Sequence, residues 1–189
     1  MRRAVPAAPA ETLPLQLETI GINPDQEAVE RPGGYPCYHW LQTLEGEGEL
    51  WAGGQVWKLG ERSGLLLAPG VPHRYEARSE RWQTGYITFQ GSMAQAFIQS
   101  LGWGQAERFQ WEADDHPITE LLKRMLEDAE AGSDPSGWRY SAELYRFLTL
   151  LRTETHTAHR PSLSKRLRQI QDLLDWLEQD YANPDIGLT

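Results

Sequence analysis

The chain has 189 residues, 40% hydrophobic and 24% charged, a balance that fits one folded domain with an appendage and excludes the disordered and fibrous classes. Its formal charge of −9 makes it a poor nucleic-acid binder on its own, because phosphate recognition needs clustered Lys and Arg. Cys37 is the only cysteine, which excludes an intrachain disulfide and a cysteine-based zinc cluster; no apolar run approaches the roughly 20 residues that span a bilayer, so a cytoplasmic protein without membrane contact is expected.

Residues 1–14 are rich in Ala and Pro and lack periodicity, which predicts a flexible arm and a candidate lid. From residue 15 to 91 short apolar, aromatic and β-branched runs alternate with glycines. The runs at 38–44, 49–52, 55–59, 65–68 and 82–89 are separated by Gly46 and Gly48, Gly53-Gly54, Gly60 and Gly64, and Pro69-Gly70-Val71-Pro72. Gly53-Gly54 suits a two-residue hairpin, which needs positive φ at both central positions. Many short strands with tight turns predict a β-sandwich or small barrel.

The period then changes to a helical one. Ser92-Met93-Ala94-Gln95 has the spacing of a capping box, and Gly102 stops the helix it would open. Pro117 falls in the first turn of a second helix with Ile118, Leu121, Leu122, Met125, Leu126 and Ala129 on one face, broken by residues 132–137. A third helix over 140–155 carries Leu144, Phe147, Leu148 and Leu151, and Tyr145 and Leu150 widen its stripe. It packs on the barrel or, in addition, pairs with its copy in a second subunit. Residues 156–161 suit a linker, after which Ser162 or Ser164 caps a last helix bearing Leu167, Ile170, Leu173, Leu174 and Leu177. The chain ends in a fresh apolar segment, which suggests an engineered boundary or an incomplete chain.

The segment Gly64-Leu65-Leu66-Leu67-Ala68-Pro69-Gly70-Val71-Pro72-His73 resembles the second cupin motif. With Tyr75, Arg81-Trp82 and Tyr86-Ile87-Thr88-Phe89-Gln90-Gly91 before a helix, it resembles the sensor domain of the AraC family of transcription regulators. Ile170 to Thr189, with Trp176, Tyr181 and the closing Asn183-Pro184-Asp185-Ile186-Gly187-Leu188-Thr189, is similar to that family's lead-in to its double helix-turn-helix domain. The resemblance spans residues 35–189. It implies a mainly β fold with helices: a cupin-like jelly-roll barrel that binds a small effector, followed by a helical dimerisation region. It implies a homodimer, and DNA binding only through a further C-terminal domain. The corresponding division is arm 1–14, barrel 15–91, helical region 92–158, and linker with the start of the DNA-binding domain 159–189.

Within the barrel, side chains alternate in and out with period two, so Trp82, Thr84, Tyr86 and Thr88 share one face of their strand, and either face can be interior. In arabinose-responsive members of the family an aromatic residue of this strand stacks on the sugar, and Tyr86 holds the matching position. His73 and Tyr75 match polar pocket positions. The resemblance thus implies an effector site at Tyr86, His73, Tyr75, Trp82, Thr84, His39 and Glu45, for a carbohydrate or related polar metabolite. Glu45 stands where a sugar-contacting arginine is expected, a departure that points away from arabinose itself. Dimerisation falls to Leu144, Phe147, Leu148 and Leu151.

The main rival is a metal-dependent cupin enzyme, an isomerase or dioxygenase, whose site needs three or four convergent ligands. Only His39 and His73 are histidines of the barrel segment, while His116, His156 and His159 read as surface residues. Neither a phosphate-cradling loop nor a Gly-x-Ser-x-Gly elbow is present, so no catalytic residue, cofactor or metal is expected. A third reading is a regulator that senses through protein contact, its barrel filled by its own side chains.

Overall fold

The glycine-punctuated runs fold into two antiparallel sheets. The computed structural model describes residues 1–9, 11–112, 116–157 and 160–181. Its strands are β1 (Arg2–Ala4), β2 (Gln16–Asn23), β3 (Val29–Arg31), β4 (Tyr38–Glu45), β5 (Gly48–Ala52), β6 (Gln55–Leu59), β7 (Ser63–Leu67), β8 (His73–Ala77), β9 (Gln83–Gln90) and β10 (Ala106–Gln110). Its helices are α1 (Ala94–Ser100), α2 (Pro117–Glu130), α3 (Trp138–Glu154) and α4 (Leu163–Tyr181). One sheet runs β1-β2-β9-β4-β7-β10 and the other β3-β8-β5-β6. From β2 to β9 this is the strand order of a jelly roll, a mainly β, cupin-like fold followed by helices.

The larger sheet is buried on both faces. His39, Leu41 and Thr43 of β4 turn toward the second sheet, whereas Tyr38 and Trp40 turn toward the helices. Trp40 meets Phe147 of α3 edge-on, with ring centroids 5.5 Å apart. The five residues of β7 are likewise all buried. A strand covered on both sides reads as a continuous apolar run, which is why neither face of β9 stood out as interior in the sequence. The smaller sheet has one wet face and alternates: Leu50 and Ala52 point inward, while Trp51 points out beneath Arg74, whose guanidinium lies 4.3 Å from its ring centroid. Gly53 and Gly54 take φ of 58° and 74° and close the β5–β6 hairpin as expected.

Several local expectations are corrected. The arm is tied down: β1 pairs with the edge of β2, Arg2 forms a 2.5 Å ion pair with Glu130 of α2, and Leu13 is fully buried. Low complexity hid this because three residues suffice to cover a sheet edge. Ser92 does not cap α1; its backbone N–H donates to the Leu13 carbonyl and its hydroxyl leans the same way, so Met93 precedes the helix without a side-chain cap. His116 is buried, not on the surface, because it caps α2: its Nδ1 accepts from the Ile118 N–H at 3.3 Å. His159 lies outside the described residues. Ser162 does cap α4, accepting from the Lys165 N–H at 3.2 Å.

The residues assigned to dimerisation are also corrected. Leu144, Phe147, Leu148 and Leu151 are at most 1% exposed, consumed by packing on the larger sheet and on α2. The outer side of α3 instead presents Trp138 and Tyr145, beside Met93 and Phe97 of the α1 region. On α4, Leu167, Ile170, Leu173, Leu174 and Leu177 form the expected stripe, and all five are exposed. Among the described residues no helix is long and apolar enough to cross a membrane.

Candidate ligand-binding site

The space between the sheets is filled at one end and open at the other. Leu41, Leu50, Leu59, Leu65, Leu67 and Trp82 pack the closed end. At the other end a cavity of about 500 Å³ is lined by Thr19, Asn23 and Gln26, by Arg31 and Tyr35, and by His39, Tyr75, Tyr86 and Thr88, with Met1 and Arg3 of the β1 segment at its edge. That size suits a small metabolite.

Each side chain is placed by its strand. Gly21 of β2 faces Tyr86 of β9 across the ladder, and a Cβ there would stand 2.6 Å from the Tyr86 hydroxyl, so only glycine leaves room for the phenol. A bulge in β2 between Leu17 and Thr19 frees Glu18 from the alternation; its carboxylate accepts hydrogen bonds from the Tyr35 hydroxyl at 2.8 Å and from the Thr88 hydroxyl. Asn23 Nδ2 and the Thr84 hydroxyl both donate to Gln26 Oε1, at 2.7 Å each.

Of the charged side chains that line the cavity, Arg3, Asp25 and Glu27 are exposed and Arg31 is half-buried. Arg31 lies 4.7 Å from the Tyr35 ring centroid, and its Nη1 stands 3.4 Å from both His39 Nδ1 and His73 Nε2. His73 Nδ1 donates to the Val71 carbonyl at 2.8 Å, which leaves Nε2 as the acceptor in the neutral ring. Burial holds His39 well below the ordinary imidazole range, and the charge of Arg31 and then His73 push the same way. Burial lowers His73 as well, opposed by the Val71 bond and aided by Arg31. Burial raises the Tyr75 and Tyr86 phenols, so both remain protonated donors at neutral pH.

Of the residues expected from sequence, His39, Tyr75 and Tyr86 line the cavity, and His73 stands behind it through Arg31. Three do not line it. Trp82 is fully buried at the closed end, its Nε1 donating to the Thr43 hydroxyl at 2.9 Å, because it precedes β9 and turns into the apolar cluster. Thr84 touches the site only through Gln26. Glu45 is 52% exposed at the far end of β4, 3.6 Å from Arg81. Arg31, Tyr35, Glu18 and Thr88 were missed as site residues. The signal for Arg31 was a lone arginine before Pro32-Gly33-Gly34, which reads as a turn and hides the three-residue strand ahead of it.

A cleft of about 650 Å³ where α2 begins and α3 hands over to α4 is larger, and Trp111, His116, Glu154, His156 and Lys165 line it. It is an outer cleft whose Lys165 already pairs with Glu112 at 3.3 Å. The barrel cavity, where phenols, imidazoles and the Arg31 guanidinium converge between the two sheets, is the stronger site. Arg31 also stands between the two barrel histidines, where its fixed positive charge opposes a metal cation.

The family model described as the AraC-like ligand binding domain matches residues 15–151, which contain every strand except β1, together with α1, α2 and most of α3. The chain belongs to the AraC-like ligand binding domain family. No curated protein matches it. Among solved structures, the AraC-like domain is similar to ToxT from Vibrio cholerae, with 11% identity and a TM-score of 0.49 over 75% of this chain and 57% of that one. It is similar to unsaturated fatty acid-bound ToxT from Vibrio cholerae strain SCE256, with 9% identity and a TM-score of 0.42 over 70% and 53%. A cupin superfamily protein from Desulfitobacterium hafniense shares 18% identity over 44% of this chain and 82% of its own, with a TM-score of 0.33. The chain thus spans little more than half of each ToxT structure.

Proposed function

We propose that this AraC-like domain is the effector-binding and dimerisation part of a cytoplasmic DNA-binding transcription regulator, and not an enzyme. Its effector is a small polar metabolite of carbohydrate type, held in the barrel cavity. The observation that carries this reading is the partly filled barrel: phenols, hydroxyls and imidazoles converge on about 500 Å³ of space that the chain's own side chains leave open. A barrel packed throughout would have favoured sensing by protein contact. The divisions at residues 14, 91 and 158 belong to this reading, with DNA binding assigned to a basic domain joined through the segment from 159 onward, although the larger sheet also takes β1 from the arm and β10 from the helical region.

The cavity reaches from the barrel to the arm through Met1 and Arg3, and Arg2 joins that arm to α2. Effector binding therefore acts on β1 and the helices together. A differential free energy of ~1–3 kcal/mol between two such arrangements is enough for regulation. The test is a thermal-unfolding screen of sugars, their derivatives and divalent metals, repeated on Tyr86→Ala. A polar metabolite is expected to raise the melting temperature of the wild type and to lose most of that effect in the variant. A response to metal alone, accompanied by turnover, would replace the sensor with an enzyme.

A further inference from the structure

We propose that the effector is a hydroxy acid of sugar-acid size, and that Arg31 binds its carboxylate. This rests on the effector site described above and goes beyond it by naming the ionic group. Among the described residues Arg31 has no carboxylate partner, although the chain carries nine more acidic than basic side chains. Arg2, Arg78, Arg124 and Arg139 all have one. Only Nη1 of Arg31 is engaged, by two histidine nitrogens at 3.4 Å. Nε and Nη2 donate to nothing among the described residues, and neither is sealed from the cavity. Those two nitrogens form the flat fork that matches the two oxygens of a carboxylate.

The surroundings favour the same ligand. The Tyr35 ring beneath Arg31 and the two imidazoles beside it fix the direction of the fork without neutralising it. The Glu18 carboxylate, on the neighbouring β2, accepts from the Tyr35 and Thr88 hydroxyls. Arg3 adds a positive charge near Tyr86, exposed and therefore screened by solvent and salt. Asp25 and Glu27 stand on the exposed rim, where solvent and salt screen them. Tyr75 and Tyr86, whose phenols line the cavity and stay protonated, suit the hydroxyl-bearing part of such a molecule.

The experiment is calorimetric titration of the whole chain with matched pairs, galacturonate against galactose and gluconate against glucose, on the wild type, Arg31→Gln and Arg31→Lys. Circular dichroism checks that each variant is folded. The acid of at least one pair is expected to bind tenfold or more tightly than its neutral partner. Arg31→Gln should abolish that preference, and Arg31→Lys, which keeps the charge without the fork, should retain part of it. Equal or tighter binding of the neutral sugar, or acid binding untouched in folded Arg31→Gln, overturns the assignment while leaving the sensor reading in place. No binding by either member of both pairs overturns the assignment and counts against a carbohydrate-type effector.

Discussion

At the scale of single residues, the side chains that the sequence made legible are those carried by a motif. His73 closes the cupin-like segment, Tyr75 lies two residues on, and Tyr86 sits in the strand before the capped-looking helix; two line the cavity, and His73 supports it through Arg31. Trp82 and Thr84 misled because alternation sorts residues by face and not by depth along the barrel. Arg31 was illegible because its place between two histidines, with no carboxylate partner among the described residues, is a property of space and not of spacing. Burial also gives the histidines a measurable signature. His39, His73 and His116 all have pKa values lowered by burial, while an unfolded histidine titrates near ~6.5. Below that pH the unfolded chain takes up protons that the folded one refuses, so stability is full above it and falls as pH drops toward the folded values. The urea midpoint is expected to fall between pH 7.5 and pH 5, with a shallower fall in His39→Gln; a midpoint constant or rising over that range contradicts the assignment.

At the scale of elements, α2 and α3 were readable because each has an apolar stripe of helical period, and Gly53-Gly54 because a hairpin requires it. The strands β1 and β10 were not, since short edge strands at either end of the larger sheet need no distinctive pattern once a neighbour supplies their hydrogen bonds. The breadth of the α3 stripe was read as a second surface, yet its centre serves one core. Charging that centre and charging the outer side should therefore differ. Leu151→Glu is expected to unfold the domain, costing at least the ~2–5 kcal/mol of a lost buried leucine. Tyr145→Glu, on the exposed side, is expected to leave the melting temperature nearly unchanged and to shift sedimentation toward monomer. A folded, monomeric Leu151→Glu protein would restore the buried stripe as the interface.

At the scale of the whole molecule, one sheet separates two interiors: the cavity on its inner face, and the helix-packed core on its outer face. β9 carries Tyr86 and Thr88 toward the first and Ile87 and Phe89 toward the second, so a ligand against one face presses on a strand whose other face holds α2 and α3. The histidines are placed to report whether the effector occupies the barrel cavity. His39 and His73 stand at that cavity, whereas His116 and His156 line the outer cleft between α2, α3 and α4. The measurement is imidazole NMR during titration with the metabolite that most raises the melting temperature. The His39 and His73 resonances are expected to move together while those of His116 and His156 stay within error. Movement of His116 and His156 with His39 and His73 unchanged would contradict that placement and transfer the effector to the outer cleft.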